Sequence, residues 1–588
     1  MSSNPQLSRA ETVRSWYEKR WVPPALVCGL VLLVYAGAIR FDFVYDDDTQ
    51  ILRNPWLTSF SYLPRYFTSH VWAFSNIVGA YWRPLFLIWL LVQRTLFGAH
   101  PAMWHLDSVL LHVAATGFVY PLARRLARDR VAGMIAALIF GLHPALIESV
   151  AWISGVTDPL LAVCLVPAFL AYLNWRGVAP VRGPSEAGQH RNPRWLVLSL
   201  VLYALALMSK EPAVVLPALI FAYEWIYSDH SRFRRTRDAL IPVLPYVPVT
   251  IVYAAVHLIV LQRVDYSRTL TTPLRTLLTS PSLFLFYLRT LVFPALISPH
   301  YNFKLVMGFS FTRVIVPAVM VIAVAALLYV SARRNRDRLT AFASVWIVLP
   351  LLPAFYLAPQ GPHDFAHARY LYLSCIGFGI MIASAIRRLR QPAAQAAAAG
   401  AIIVLLAVGT ATQQLYWANN MLLFTRGVAI GPDNPTALTG LGIEYGKRER
   451  YPEAIQLFQR ALAIDSTDWH PNFSLGYTYF VLGRYAEAEP LIARAVSLNP
   501  WGADPDQFAY LGLVEMKLGD LPKAEAAIRQ AATRQPGREQ FRYALGLIYE
   551  QEGELAEAAH EFKATVDINP NNADARARLA RAQAAAAR

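Results

Sequence analysis

Residues 21–48 read WVPPALVCGLVLLVYAGAIRFDFVYDDD. The run 22–40 is apolar and long enough to cross a bilayer, for which about 20 residues suffice. Lys19 and Arg20 precede it, and three consecutive aspartates, Asp46, Asp47 and Asp48, follow it. A small-residue site at Ala36-Gly37-Ala38 would suit cleavage of a signal peptide, but the length of the run favours an uncleaved span. Carboxylates at the mouth of a membrane bundle are costly to place, and they are suited to taking a proton from an acceptor hydroxyl. By charge alone, the cluster reads equally well as a solvated loop.

Outward from this stretch the chain stays apolar. Its 588 residues are 55% hydrophobic with a mean hydropathy of +0.33, too apolar for an ordinary soluble protein of this size. Apolar runs broken by short polar loops fill residues 22–417, whereas the chain from about 432 onward has soluble composition. Two parts are expected: a polytopic membrane domain, 1–431, and a water-exposed domain, 432–588. The net charge of +15 does not point to nucleic acid, because the arginines lie in short loops between apolar runs rather than along one stripe. Cys28, Cys164 and Cys375 all sit inside apolar segments and suggest neither a disulfide framework nor a metal site.

Arginines set the expected topology. Five loops are rich in them: Arg124 to Arg130, Arg176 to Arg194, Arg232 to Arg237, Arg333 to Arg338, and Arg387 to Arg390. The positive-inside rule puts all five in the cytoplasm with the N-terminus. About eleven spans satisfy that parity: 22–40, 104–123, 131–147, 158–175, 195–208, 213–228, 239–261, 313–331, 339–357, 370–386 and 397–416. Segments 84–98 and 281–297 then cannot cross, and they read as interfacial or re-entrant helices. This parity puts Asp46–Asp48, His143, Glu148, Asp158, the Ser209-Lys210-Glu211 turn, the Gln360-to-Arg369 loop and the C-terminal domain on the exoplasmic side.

From Thr436 the chain repeats. Leu441-Gly442, Leu475-Gly476, Leu511-Gly512 and Leu545-Gly546 head four copies, spaced by 34 residues except for a two-residue insertion near Trp501. Ala454, Ala488, Ala524 and Ala558 follow twelve positions after each glycine. Pro500, Pro536 and Pro570 end three copies. Tyr445, Tyr479 and Tyr549 share one position, which Glu515 fills in the third copy; Phe458, Ile492, Ile528 and Phe562 share another. This resembles the tetratricopeptide repeat, a stack of helical hairpins, and the polar, alanine-rich residues 572–588 suit a capping helix. Such arrays typically bind protein segments.

The membrane part carries five short polar signals: Asp46-Asp47-Asp48, Trp82-Arg83-Pro84-Leu85, His143-Pro144 running to Glu148 and on to Asp158, Ser209-Lys210-Glu211-Pro212, and His363-Asp364 with His367-Ala368-Arg369-Tyr370. Arg83, Lys210 and Arg369 are the candidates to hold an anionic lipid phosphate. His143, His363 and His367 with aspartates could bind a metal, but no tight ligand spacing supports that. His105 and His112 lie in an apolar span and read as core histidines. Lys210-Glu211 reads equally as a paired turn before a proline start signal.

In this order the motifs resemble the transmembrane and tetratricopeptide-repeat proteins, relatives of the protein O-mannosyltransferases with the GT-C glycosyltransferase fold. The resemblance implies an all-α membrane bundle of GT-C type followed by an α-solenoid. It implies transfer of a sugar, mannose or another hexose, from a polyprenyl-phosphate donor to Ser or Thr hydroxyls of exported proteins, with inversion and without a metal or other cofactor. On that reading Asp47, supported by Asp46, activates the hydroxyl. Arg83, Lys210 and Arg369 hold the donor phosphate, while His143, Glu148, Asp158 and Glu211 shape its pocket. The repeats recruit the acceptor. The composition suggests a bacterial inner-membrane protein with periplasmic repeats. Alternatives are a non-catalytic membrane-anchored scaffold, a transferase acting on a non-protein acceptor, and a flippase. Flippases tend to carry charge in mid-span, whereas here the charges collect at one surface.

Overall fold

The computed structural model describes residues 19, 21–75, 79, 81–177, 192–228, 232–261, 272–334, 337–357, 365–499 and 504–586. Every regular element among them is helical, as expected. The chain divides into two compact units, the first of Met1–Val71 and Gly79–Arg426 and the second of Gly427–Arg588 with Trp72–Val78.

Among the described residues of the first unit, six helices are long and apolar enough to cross a membrane: Val22–Arg40, Pro101–Ala127, Ile153–Trp175, Phe311–Arg333, Arg338–Phe355 and Pro392–Trp417. Two bent pairs raise the number to eight, fewer than the eleven the arginine parity requires. The difference lies in helices of 12 to 17 residues such as Leu216–Tyr227, Pro193–Ser209 and Ser374–Arg387, which fall short of the length for a straight crossing. Proline makes the bends. Arg130–Gly141 turns by 50° into Pro144–Ala151 because the residue before a proline is driven out of the helical region, and His143 stands there extended. Pro242 and Pro245 flank the 55° bend that leads into Tyr246–Leu261.

Burial separates helices of similar composition. In Ile153–Trp175, 83% of the apolar window is buried; in Phe311–Arg333 it is 11%, and in Pro392–Trp417 17%. The first is the bundle's central helix, packed on Pro101–Ala127 and Pro193–Ser209. The others expose Ile322, Leu327 and Leu405, an arrangement that suits lipid and not water.

At one end of the bundle the arginine loops are tied together. Arg387 Nε donates to Asp129 at 2.7 Å, Arg388 pairs with Asp337, and Arg338 donates to the Tyr227 carbonyl at 3.1 Å. Arg176 makes a two-point bond to Glu224, 2.7 Å at each oxygen. The interior arginines of the Arg176-to-Arg194 loop lie outside the described residues.

The second unit contains four helical hairpins: Pro435–Gly446 with Tyr451–Ile464, Trp469–Val481 with Tyr485–Leu498, Pro505–Leu518 with Leu521–Arg534, and Glu539–Glu552 with Leu555–Ile568. Helix Ala573–Ala586 caps them. The repeating small residues explain the hairpin packing. A methyl group added to Gly442, Gly476, Gly512 or Gly546 would stand 2.6 Å from Phe458, Ile492, Ile528 or Phe562 respectively. Ala454, Ala488, Ala524 and Ala558 are completely buried. Each glycine thus admits the large side chain sixteen positions later that fills its own hairpin's seam.

Candidate functional site

The acidic loop is held rigidly. Tyr45 adopts a left-handed backbone with φ 55°, a conformation that costs a non-glycine residue about 1–2 kcal/mol. Its N–H donates to Asn420 Oδ1 at 2.8 Å, and its ring packs on Trp152 and His300 at 5.8 and 5.5 Å between centroids. This strained residue sets the direction of the three aspartates that follow, and the environments of the three differ. Asp48 pairs with Arg53 at 2.7 Å on the surface. Asp47 is fully buried: one oxygen accepts the Val44 N–H at 3.1 Å, the other accepts the Ser154 N–H at 2.9 Å and the Ser154 hydroxyl at 2.6 Å. Burial pushes its carboxyl up to about 6, although the bonds from Ser154 and Val44 oppose the shift. Asp46 is half-buried.

Six of the other predicted residues form three ion pairs, with the cations close enough to feel one another. Arg83 Nε and Nη2 donate to Glu211 at 3.0 and 2.7 Å. Lys210 Nζ lies 2.6 Å from Asp158 Oδ1, and Ser149 donates to the other Asp158 oxygen at 3.0 Å. Arg369 Nη1 donates to Glu148 Oε1 at 2.9 Å, with His367 Nδ1 3.4 Å from the same oxygen. Lys210 has a lowered pKa, first because it is buried and then because Arg83 and Arg369 are near, with Asp158 opposing. Burial also works against the charge of Arg83, but Glu211 outweighs it and raises the pKa. The local sequence makes this possible. Ser209 ends an apolar helix, Lys210 is extended, and Glu211-Pro212 restarts the chain as a 3-10 turn, so consecutive side chains serve two different pairs.

A cavity of about 660 Å³ opens on the Arg83–Glu211 and Lys210–Asp158 pairs. Its polar end carries Tyr81, Arg83, Asp158, Lys210, Glu211 and Tyr370; its other walls are apolar, including Leu161, Val214, Leu261, Pro350 and Leu373. Arg369 stands beside it, its guanidinium 5.0 Å from the Trp152 ring centroid and 5.6 Å from that of Tyr370. Trp152 therefore lies between Tyr45 of the acidic loop and Arg369 of the cationic cluster. Asp46 and Asp47 do not line the cavity itself.

His143 is not part of this cluster. Its Nε2 donates to the Leu291 carbonyl at 2.9 Å and its Nδ1 accepts the Ala145 N–H at 3.2 Å, so both nitrogens are spent on backbone at the bend. It is a core histidine. So is His112, bonded to Tyr372 Oη at 2.7 Å and to the Gly141 carbonyl at 3.0 Å. His363 and Asp364 lie outside the described residues, and among the described residues no three His, Cys, Asp or Glu side chains are grouped as a metal site. Sequence reading overlooked Ser154, Tyr253 and His257. The last two are polar residues four apart in an otherwise apolar helix, a spacing that would have marked them.

Tetratricopeptide-repeat family models match residues 447–511 and 511–573. Among curated proteins, the protein O-mannosyl-transferase Tmtc1 of Drosophila melanogaster is 31% identical over 32% of this chain and 20% of its own length. TMTC1 of Homo sapiens is 28% identical over 38% and 26%. The Drosophila protein O-mannosyl-transferase Tmtc3 is 22% identical over 75% of this chain and 55% of its own length. The chain thus spans between a fifth and about half the length of these relatives. The crystal structure of MamA covers 28% of the chain and 93% of MamA, with 24% identity and a TM-score of 0.25. The chain thus carries tetratricopeptide repeats and is similar, over part of their length, to protein O-mannosyl-transferases.

Proposed function

We propose that the chain is a membrane glycosyltransferase of GT-C type that moves a hexose from a polyprenyl-phosphate carrier to Ser or Thr hydroxyls of exported proteins. The observation that carries this reading is the two-sided cavity. The half-buried Arg83 and the buried Lys210 line its polar end, the half-buried Arg369 stands beside them, and apolar walls continue from there. A lipid phosphate has that same division: an anion that needs charge-assisted donors and an isoprenoid chain that needs none. The names of the similar proteins support transfer to protein.

In the proposed reaction the acceptor oxygen attacks the anomeric carbon of the donor as its proton passes to a carboxylate. The carbon–oxygen bond to phosphate breaks, and the polyprenyl phosphate leaves with the bonding electrons. Its charge is offset by the three cations, whose carboxylate partners keep the empty cavity near neutral. Of the acidic pair, we assign proton acceptance to Asp46. Asp47, enclosed with both oxygens occupied, is a positioning residue that fixes the loop to Ser154. Glu211, Asp158 and Glu148 hold the cationic groups in place, and no step requires a metal.

The arginine-rich end would face the cytoplasm of a bacterial inner membrane, and the acidic loop and repeats the periplasm. The repeats would recruit the exported acceptor. Glycoproteomics of exported proteins tests this reading: cells lacking the chain should lose hexose from a defined set of Ser and Thr sites. An unchanged glycoproteome would contradict it.

A further inference from the structure

The helix Tyr246–Leu261 turns most of its surface outward; Ile251, Val252, Leu258 and Ile259 are all exposed. Two of its inward residues, Tyr253 and His257, line the cavity. Tyr253 Oη and His257 Nε2 are both shielded from solvent, and neither has a hydrogen-bond partner. An unpaired buried polar atom costs about 1–3 kcal/mol, and polar groups within a membrane helix are kept for function or paired. Two on one face, four residues apart, aimed at one cavity, mark a place where a ligand supplies the partners.

The setting identifies the ligand's chemistry. The Tyr253 ring lies 5.6 Å from that of Trp82 and 5.6 Å from that of His257, which makes an aromatic wall with polar tips. The Arg83–Glu211 pair stands close enough to influence both residues electrostatically. A phosphate would select cations and an isoprenoid chain would select apolar walls. A hydroxyl and an imidazole beside a carboxylate and aromatic faces suit neither; they suit a neutral ring bearing adjacent hydroxyls.

We propose that Tyr253 and His257 form a sugar-recognition subsite, with Tyr253 Oη and His257 Nε2 each taking a hydroxyl of the carrier-linked hexose. The subsite rests on the donor reading given above and adds to it the residues that select the sugar.

The test measures binding to the full-length protein in lipid nanodiscs with three probes: a short-chain polyprenyl phosphomannose, its glucose counterpart and the bare polyprenyl phosphate. Tyr253→Phe and His257→Leu should each weaken the better sugar-bearing probe about tenfold, the equivalent of one lost hydrogen bond at about 1.4 kcal/mol, and leave the bare phosphate unchanged. His257→Gln, which keeps a polar nitrogen near the Nε2 position, should recover part of the loss. Equal weakening of the bare phosphate, or no change for either variant, would overturn the subsite. Wild-type protein that binds the bare phosphate with no gain from sugar would overturn the subsite and leave the lipid site standing. Wild-type protein that binds none of the probes would overturn both.

Discussion

At the residue scale, the three aspartates separate by their surroundings. Asp47 is enclosed and ties the loop to Ser154, while the half-buried Asp46 is the proton acceptor of the proposed reaction. Asp46→Asn should abolish hexose transfer with the melting temperature unchanged. Asp47→Ala leaves the Ser154 and Val44 donors unmatched inside the protein and should cost about 2 kcal/mol of stability, read as a lower thermal midpoint. Preserved transfer in Asp46→Asn would remove it from the chemistry. The sequence marked the pair through its position after the first span. It could not rank its members, because enclosure by Ser154, more than a hundred positions away, is a tertiary fact. For the same reason Arg83, Glu148, Asp158, Lys210, Glu211 and Arg369 were legible as candidates while their pairing was not. His143 was misplaced because a histidine before a proline looks the same whether its nitrogens serve a ligand or backbone.

Glu515 offers a pH test at the same scale. It occupies the position held by tyrosine in the other repeats, and burial, then Glu489 and Asp520, push its carboxyl up to about 7. The folded state therefore binds the proton more tightly than the unfolded state, and stability falls as pH rises from about 4.5 to about 7. Glu515→Gln should match the wild type near pH 4 and exceed it increasingly up to pH 7 in thermal melts. A constant difference across that range would remove the titration of Glu515 as its cause.

At the element scale, the repeats were readable nearly to the helix because their period is local and recurs four times. Gly476→Ala would press a methyl group against Ile492 at 2.6 Å and should destabilise by about 1–3 kcal/mol, seen in thermal unfolding of the full chain. The turn between paired helices gives the opposite case. Gly483, Gly519 and Gly553 have φ of 74°, 87° and 81°, and the equivalent residue of the first repeat is Glu449 at 59°. Glu449→Gly should stabilise by up to about 1 kcal/mol by releasing that left-handed strain. The spans were less legible. Hydropathy marked the apolar segments, but the bends at Pro144 and Pro242 and the short helices around Lys210 depend on packing against the central helix.

At the scale of the whole molecule, the membrane unit has two chemically different ends: one of cross-tied arginine loops, one of paired charges around a cavity. Its most direct test is a transfer assay with purified full-length protein in nanodiscs, given radiolabelled polyprenyl phosphohexose and an exported Ser/Thr-rich protein. Label should move to the protein, be released by β-elimination, and be absent with Asp46→Asn. Wild-type protein that transfers no label would rule out the glycosyltransferase, and an Asp46→Asn variant that transfers it at the wild-type rate would rule out Asp46 as the base.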